Sequence, residues 1–172
     1  MWVDEWGEQR MKLYIQQKIF TWGAKFDIVD EEGTARYHVE GEVLTIPKTL
    51  HIYNEQNEEV ASVVKKLMTL THAFYIMKDG VQTAKIQKII RLLTPEYYIE
   101  GKGWTVKGDV FSHDYKIVDR NSHIIGKIHK AWMSWGDSFE VEYMDPSSEV
   151  DIIATVLAID AVMDSNTSAS TA

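Results

Sequence analysis

Few places in the chain bring together residue types that do chemistry. Ser112, His113 and Asp114 are the three side chains of a hydrolytic triad, but a nucleophile works from a strained turn beside an oxyanion hole, and no G-x-S-x-G surrounds Ser112. These residues are expected to form a polar loop between Val110 and Tyr115. His123 and His129 share strand parity. With Ile124 and Ile128 facing inward, both histidines project outward as solvated neighbours of Lys127, with no HExxH motif and no carboxylate at ligand spacing. No metal site is expected from them. Gly101-Lys102-Gly103 resembles part of a phosphate loop, yet no Gly-Lys-Ser/Thr runs into a helix, so a hairpin turn is its expected use. The 26 Asp and Glu residues single out no acid/base pair. The expectation is of no catalytic residues and no cofactor.

Charge is more informative. The net charge of −8 argues against broad binding to nucleic acid, but it is unevenly spread. Residues 1–64 carry 6 Lys/Arg against 12 Asp/Glu, residues 65–130 carry 12 against 6, and residues 131–172 carry none against 8. A charged ligand would therefore be expected on the surface formed by residues 65–130. Lys65, Lys66, Lys85, Lys88 and Arg91 are its candidate binding residues, if strand register lets them converge; solvated lysines on outer strand faces are the plain alternative.

The elements that must position these groups are mostly strands. Phe26–Asp30 turns through Gly33 into Tyr37–Gly41, Leu50–Tyr53 turns through Asn54–Asn57 into Val60–Val64, and Phe74–Ile76 turns at Asp79-Gly80 into Thr83–Ile89. Pro47, Pro95 and Pro146 fall between runs, where a missing amide donor harms no ladder. Sliding the second half back by about 65–67 positions lays Trp104-Thr105-Val106-Lys107-Gly108-Asp109-Val110 over Tyr37-His38-Val39-Glu40-Gly41-Glu42-Val43. Tyr115–Asp119 then lies over Leu50–Asn54, and Phe139-Glu140-Val141 over Phe74-Tyr75-Ile76. Two such meanders can close on one another and leave no open edge.

The repeat ends at a helix. Asp145-Pro146-Ser147-Ser148-Glu149 suits a helix start, and the following run to Met163 is polar only at Asp151, Thr155 and Asp160. A helix apolar on all sides is surrounded by protein or by lipid, and its ~14 residues, roughly 21 Å, are too few to cross a bilayer. Ala154, Ala158 and Ala161 keep it thin enough to thread a sheet-lined core. The tail 165–172 is Ser/Thr/Ala-rich and expected to be disordered.

The 172 residues, 45% of them hydrophobic, suffice for one core. The absence of cysteine suits a reducing compartment, and the acidic start has no secretion-signal pattern. A cytoplasmic address without a transmembrane segment is expected, with the oligomeric state left open.

Several segments resemble the LURP-one-related family, grouped with the Tubby C-terminal domain and phospholipid scramblases. They are Met11–Phe20, Phe26-Asp27-Ile28-x-Asp30-Glu31 with Gly33, Tyr37-x-Val39-x-Gly41, and the more specific Lys130-x-Trp132-x-Ser134-Trp135-x-Asp137-x-Phe139. The resemblance covers about residues 11–164, leaving 1–10 as an extension. It implies a mainly β (α+β) fold, a closed antiparallel barrel of about twelve strands threaded by the hydrophobic C-terminal helix, with Trp132 read first as a barrel corner residue. Fold does not imply function. The expectation is a non-enzymatic binding or scaffold module, peripheral to the membrane where it engages an anionic lipid headgroup, or engaging a phosphorylated ligand or protein partner; a small enzyme with a dispersed site is the alternative.

Overall fold

The computed structural model describes residues 10–16, 23–42, 48–67, 72–89, 96–134 and 136–170. Alternation of apolar and polar residues gives twelve strands: β1 (Met11–Gln16), β2 (Lys25–Val29), β3 (Ala35–Gly41), β4 (Lys48–Asn54), β5 (Glu59–Leu67), β6 (His72–Lys78), β7 (Val81–Ile89), β8 (Glu96–Glu100), β9 (Trp104–Asp109), β10 (Asp114–Val118), β11 (Ile124–Met133) and β12 (Gly136–Tyr143). Each pairs antiparallel with its neighbours in sequence, and β12 returns to β1 from Met11↔Tyr143 to Gln16↔Ser138, closing the barrel. All three expected hairpins are present, as β2–β3, β4–β5 and β6–β7, and Gly101–Gly103 forms the β8–β9 turn. The internal repeat maps β3–β6 onto β9–β12. Where the first half continues into β7, the second half turns into a helix.

That helix, α1 (Glu149–Ser170), follows a one-turn 3-10 helix, Pro146–Ser148, capped by the Asp145 side chain accepting from the Ser147 amide. Every residue from Ile152 to Ile159 has 0% exposure, so the helix is enclosed by the barrel on all sides. Thr155 tolerates this because its hydroxyl donates to the Asp151 carbonyl at 2.7 Å. A Cβ at Gly126 in β11 would make ordinary van der Waals contact with Ile152 Cγ2, 3.4 Å away. The helical backbone runs past the apolar stretch to Ser170.

Two carboxylates fasten the helix where it enters. Glu149 accepts hydrogen bonds from the hydroxyls of Tyr37 on β3 and Tyr143 on β12, and burial together with that carboxylate raises both phenol pKa values. Asp151 accepts from Lys78 Nζ at 3.3 Å and Lys102 Nζ at 2.7 Å. Among the described residues no helix is long and apolar enough to cross a membrane.

Candidate functional site

Lys107, Lys116 and Lys127 sit on the outward-facing positions of β9, β10 and β11, each flanked by inward apolar residues such as Val106, Ile117 and Ile128. The ladder places Lys107 directly opposite Lys116, Lys116 opposite Lys127, Lys127 opposite Glu142 on β12, and Glu142 opposite Lys12 on β1. One row of side chains thus crosses five strands. The next row pairs His129 with Glu140, and Glu140 with Tyr14.

These rows line a groove of about 510 Å³ on the outer wall, with Arg10, Asp114 and Ile124 at its margins. Ile124 belongs to this groove and not to the interior. A register shift between Ile117 and Val118 sets Val118 against Ile124 and Ile117 against Gly126, and Ile125 packs toward the core instead. The bulge reverses the parity on which an inward Ile124 was expected.

Glu140 and Glu142 lie on the outer face, yet they are only 9% and 4% exposed. His129 Nε2 lies 3.2 Å from Glu140 Oε1 and 3.7 Å from Glu142 Oε1. Lys12 Nζ stands 3.1 Å from Glu140 and 3.4 Å from Glu142, and Arg10 Nε lies 3.3 Å from Glu142. Burial alone would raise the Glu140 pKa; hydrogen bonds from His129, Tyr14 and Lys12 outweigh it and hold the carboxyl well below its ordinary range. Its hydrogen bond to His129 raises the imidazole pKa against burial. For Lys12 burial acts downward, but both glutamates together raise its pKa. The expectation that no carboxylate accompanies His129 is therefore corrected: both carboxylates come from the neighbouring strand, a proximity that only register creates. His123 is solvated, as expected, in the β10–β11 turn beside Asp119.

The five residues selected from sequence do not share a face. Lys65 has the inward parity of Ala61 and Val63, sits 5.9 Å from the Phe74 ring centroid, and has its pKa lowered by burial and by Lys48. Lys66 points outward, 5.2 Å from the Tyr75 ring centroid. Lys85 is opposite Tyr75 on the same outer face, while Lys88 is opposite Tyr97 and follows the inward parity of Ala84 and Ile86. Arg91 lies outside the described residues. Trp132 is 76% exposed near the end of β11, with Lys130 Nζ 5.2 Å from its ring centroid, so it does not pack as a core residue.

Over residues 11–160 the chain matches the model of the LURP-one-related family. The chain belongs to that family. A similar relative is the uncharacterized protein YxjI of Bacillus subtilis, 24% identical over 153 residues that cover 89% of this chain and 94% of the relative. A protein of Arabidopsis thaliana solved by X-ray crystallography superposes with a TM-score of 0.65 at 14% identity, covering 89% of this chain and 91% of that one. At that identity the likeness shows a shared fold. The LURP-one-related barrel thus accounts for the architecture, and the groove is described by this chain's own residues.

Ser112, His113 and Asp114 do not converge in the LURP-one-related fold. The Ser112 hydroxyl donates to Asp109, whereas His113 turns inward, stacks on Phe139 at 4.6 Å and meets Asp160 of α1 at 3.1 Å. Burial raises the Asp160 pKa, opposed by His113. Because the folded state holds this proton more tightly, the stability Asp160 contributes is complete below its unfolded pKa of about 3.9 and is lost as pH rises through the folded value. Asp160→Asn, which removes the titration, is expected to gain stability relative to the parent as pH rises from about 4 to about 7. Urea unfolding of both proteins at each pH checks this, and a difference that stays constant contradicts it.

Proposed function

We propose that this protein is a non-enzymatic binding module whose outer-wall groove takes the phosphate group of an anionic ligand, either a lipid headgroup or a free phosphorylated molecule. The observation that carries this is the row Lys107, Lys116, Lys127. Like charges directly opposite one another on neighbouring strands destabilise a sheet, and Cβ atoms so placed are about 5 Å apart, close enough for one phosphate to span two ammonium groups. An anion bound across the row would be met by neighbouring ammonium groups from adjacent strands at once. The row also falls in the basic segment 65–130 of an otherwise acidic chain. A cytoplasmic protein peripheral to the membrane belongs to this proposal.

Titration at low ionic strength with inorganic phosphate, a soluble inositol phosphate, and vesicles with and without a phosphoinositide tests it by amide chemical shifts and co-sedimentation. A response to the soluble ligands alone selects a free metabolite; a response that needs vesicles selects the headgroup. Lys116→Glu places a negative charge in the middle of the row, and juxtaposing like charges costs enough that affinity is expected to fall by about tenfold or more. No response in any arm at low salt defeats the proposal, because screening is then minimal.

A second reading, a small enzyme, is favoured by the convergence of His129 and Glu140 in the same groove with shifted proton affinities. Turnover of a phosphate monoester by the parent and not by His129→Gln would select it.

A further inference from the structure

Three histidines on the outer wall stand between carboxylates, but only one gathers them at a single point. His38 reaches Asp27 through Nδ1 at 2.8 Å and Glu40 through Nε2 at 3.1 Å, so its carboxylates lie on opposite sides of the ring. His51 likewise meets Glu59 through Nδ1 at 3.0 Å and Glu42 through Nε2 at 3.1 Å. In His129 the same atom, Nε2, faces both Glu140 Oε1 and Glu142 Oε1, and the three ligand atoms lie within 4.8 Å of one another.

Four-coordinate zinc with ligands at about 2.0–2.1 Å requires those ligands to stand about 3.3–3.4 Å apart. The His129 separations of 3.2 and 3.7 Å bracket that requirement before any ion is present. Rigidity supports the arrangement, because Glu140 and Glu142 are alternate residues of one strand and His129 is directly opposite Glu140 on the next. The Tyr14 hydroxyl is bonded to Glu140, the kind of outer partner that orients a metal-binding carboxylate. The point of convergence already attracts a cation, since Lys12 Nζ lies against both carboxylates, and the groove leaves room on the solvent side for a further ligand.

We propose that His129, Glu140 and Glu142 form a three-ligand site for a divalent transition ion of the zinc class, with the Lys12 ammonium and the Arg10 guanidinium as built-in competitors. Imidazole with carboxylate suits zinc and its first-row neighbours better than it suits magnesium or calcium. Lys12 and Arg10 must swing aside when the ion binds, which lowers the apparent affinity. The site does not depend on phosphate recognition by the lysine row.

The test uses the full chain stripped with a chelator and the ions themselves, Zn²⁺ followed by calorimetry and Co²⁺ by its visible absorption. One ion per chain is expected, with the intense Co²⁺ bands of a four- or five-coordinate site. His129→Gln is expected to weaken binding by at least about 10–100-fold, the loss caused by removing even a supporting residue of a metal site. His38→Gln should leave it unchanged. Lys12→Met, which removes one of the two competing charges and leaves Arg10, should bind more tightly than the parent. Circular dichroism confirms that each variant is folded. The proposal is overturned if neither the parent nor Lys12→Met binds Zn²⁺ one to one, or if His129→Gln binds as well as the parent. Zinc binding without a phosphate response, or the reverse, separates this proposal from the function above.

Discussion

Leu157→Lys is expected to abolish cooperative folding, or to cost about 3–5 kcal/mol where a folded population survives. Leu157 is at the middle of the enclosed part of α1, with 0% exposure on a stretch where every neighbour is equally buried. An ammonium placed there is stripped of water among mainly apolar side chains, the buried Asp160 carboxylate three residues on being already held by His113, and the side chain cannot reach solvent past a closed sheet. The helix fills the barrel together with inward strand side chains such as Val39, Ile52 and Ile128, so the chain cannot expel it without opening the core. The urea midpoint is the measurement, with Val81→Lys as its control because Val81 is 64% exposed in the turn end of β7. A Leu157→Lys protein that unfolds at the parent's midpoint would show that the helix is not held inside.

Gly108→Val is expected to cost about 2–5 kcal/mol and to remove the phosphate response together with stability. Gly108 lies next to Lys107 on β9 with φ +123°, a conformation that side chains rarely adopt. A Cβ there would come within 2.7 Å of the Asp114 carbonyl oxygen and 2.8 Å of Tyr115 Cα, both backbone atoms of β10 that cannot rotate away. Relief requires β9 and β10 to part, and that separation breaks the alignment of Lys107 with Lys116. Gly33→Ala is the comparison: its φ is +81°, but nothing lies within 4 Å of the added atom. Only the conformational cost remains there, about 1–2 kcal/mol. Equal losses for the two variants would show that the β9–β10 contact is unimportant.

Strands, turns and the enclosed helix were legible because each is written in neighbouring residues. Period-two alternation marks Phe26–Val29 and Tyr37–Gly41 on the chain itself, and an apolar run with polar interruptions only at Asp151, Thr155 and Asp160 excludes a solvated face wherever the helix is placed. The halves' repeat implied closure for the same reason, since matching meanders leave matching edges. The candidate site is of another kind. Residues 65–130 are the basic segment by count alone, yet Lys65 and Lys66 are adjacent on one strand and must point to opposite faces, whereas Lys107, Lys116 and Lys127 meet only after three strands pair. An alignment of hairpin registers through Val106, Ile117 and Gly126 carries that signal, but the extra residue in β11 shifts the count from the turn and hides it.

Sequence by itself therefore determined the three hairpins and their repeat in the second half, the helix that no solvent can touch, and the sign of charge along the chain, because these follow from local periodicity and composition. Tertiary structure alone decided which charges meet. Cross-strand contact depends on register, one residue of slip exchanges the two faces of a strand, and the bulge beside Ile124 is such a slip. That is why His129, expected among solvated neighbours, stands in the fold against Glu140 and Glu142, and why His113, in the β9–β10 turn, points inward to Asp160.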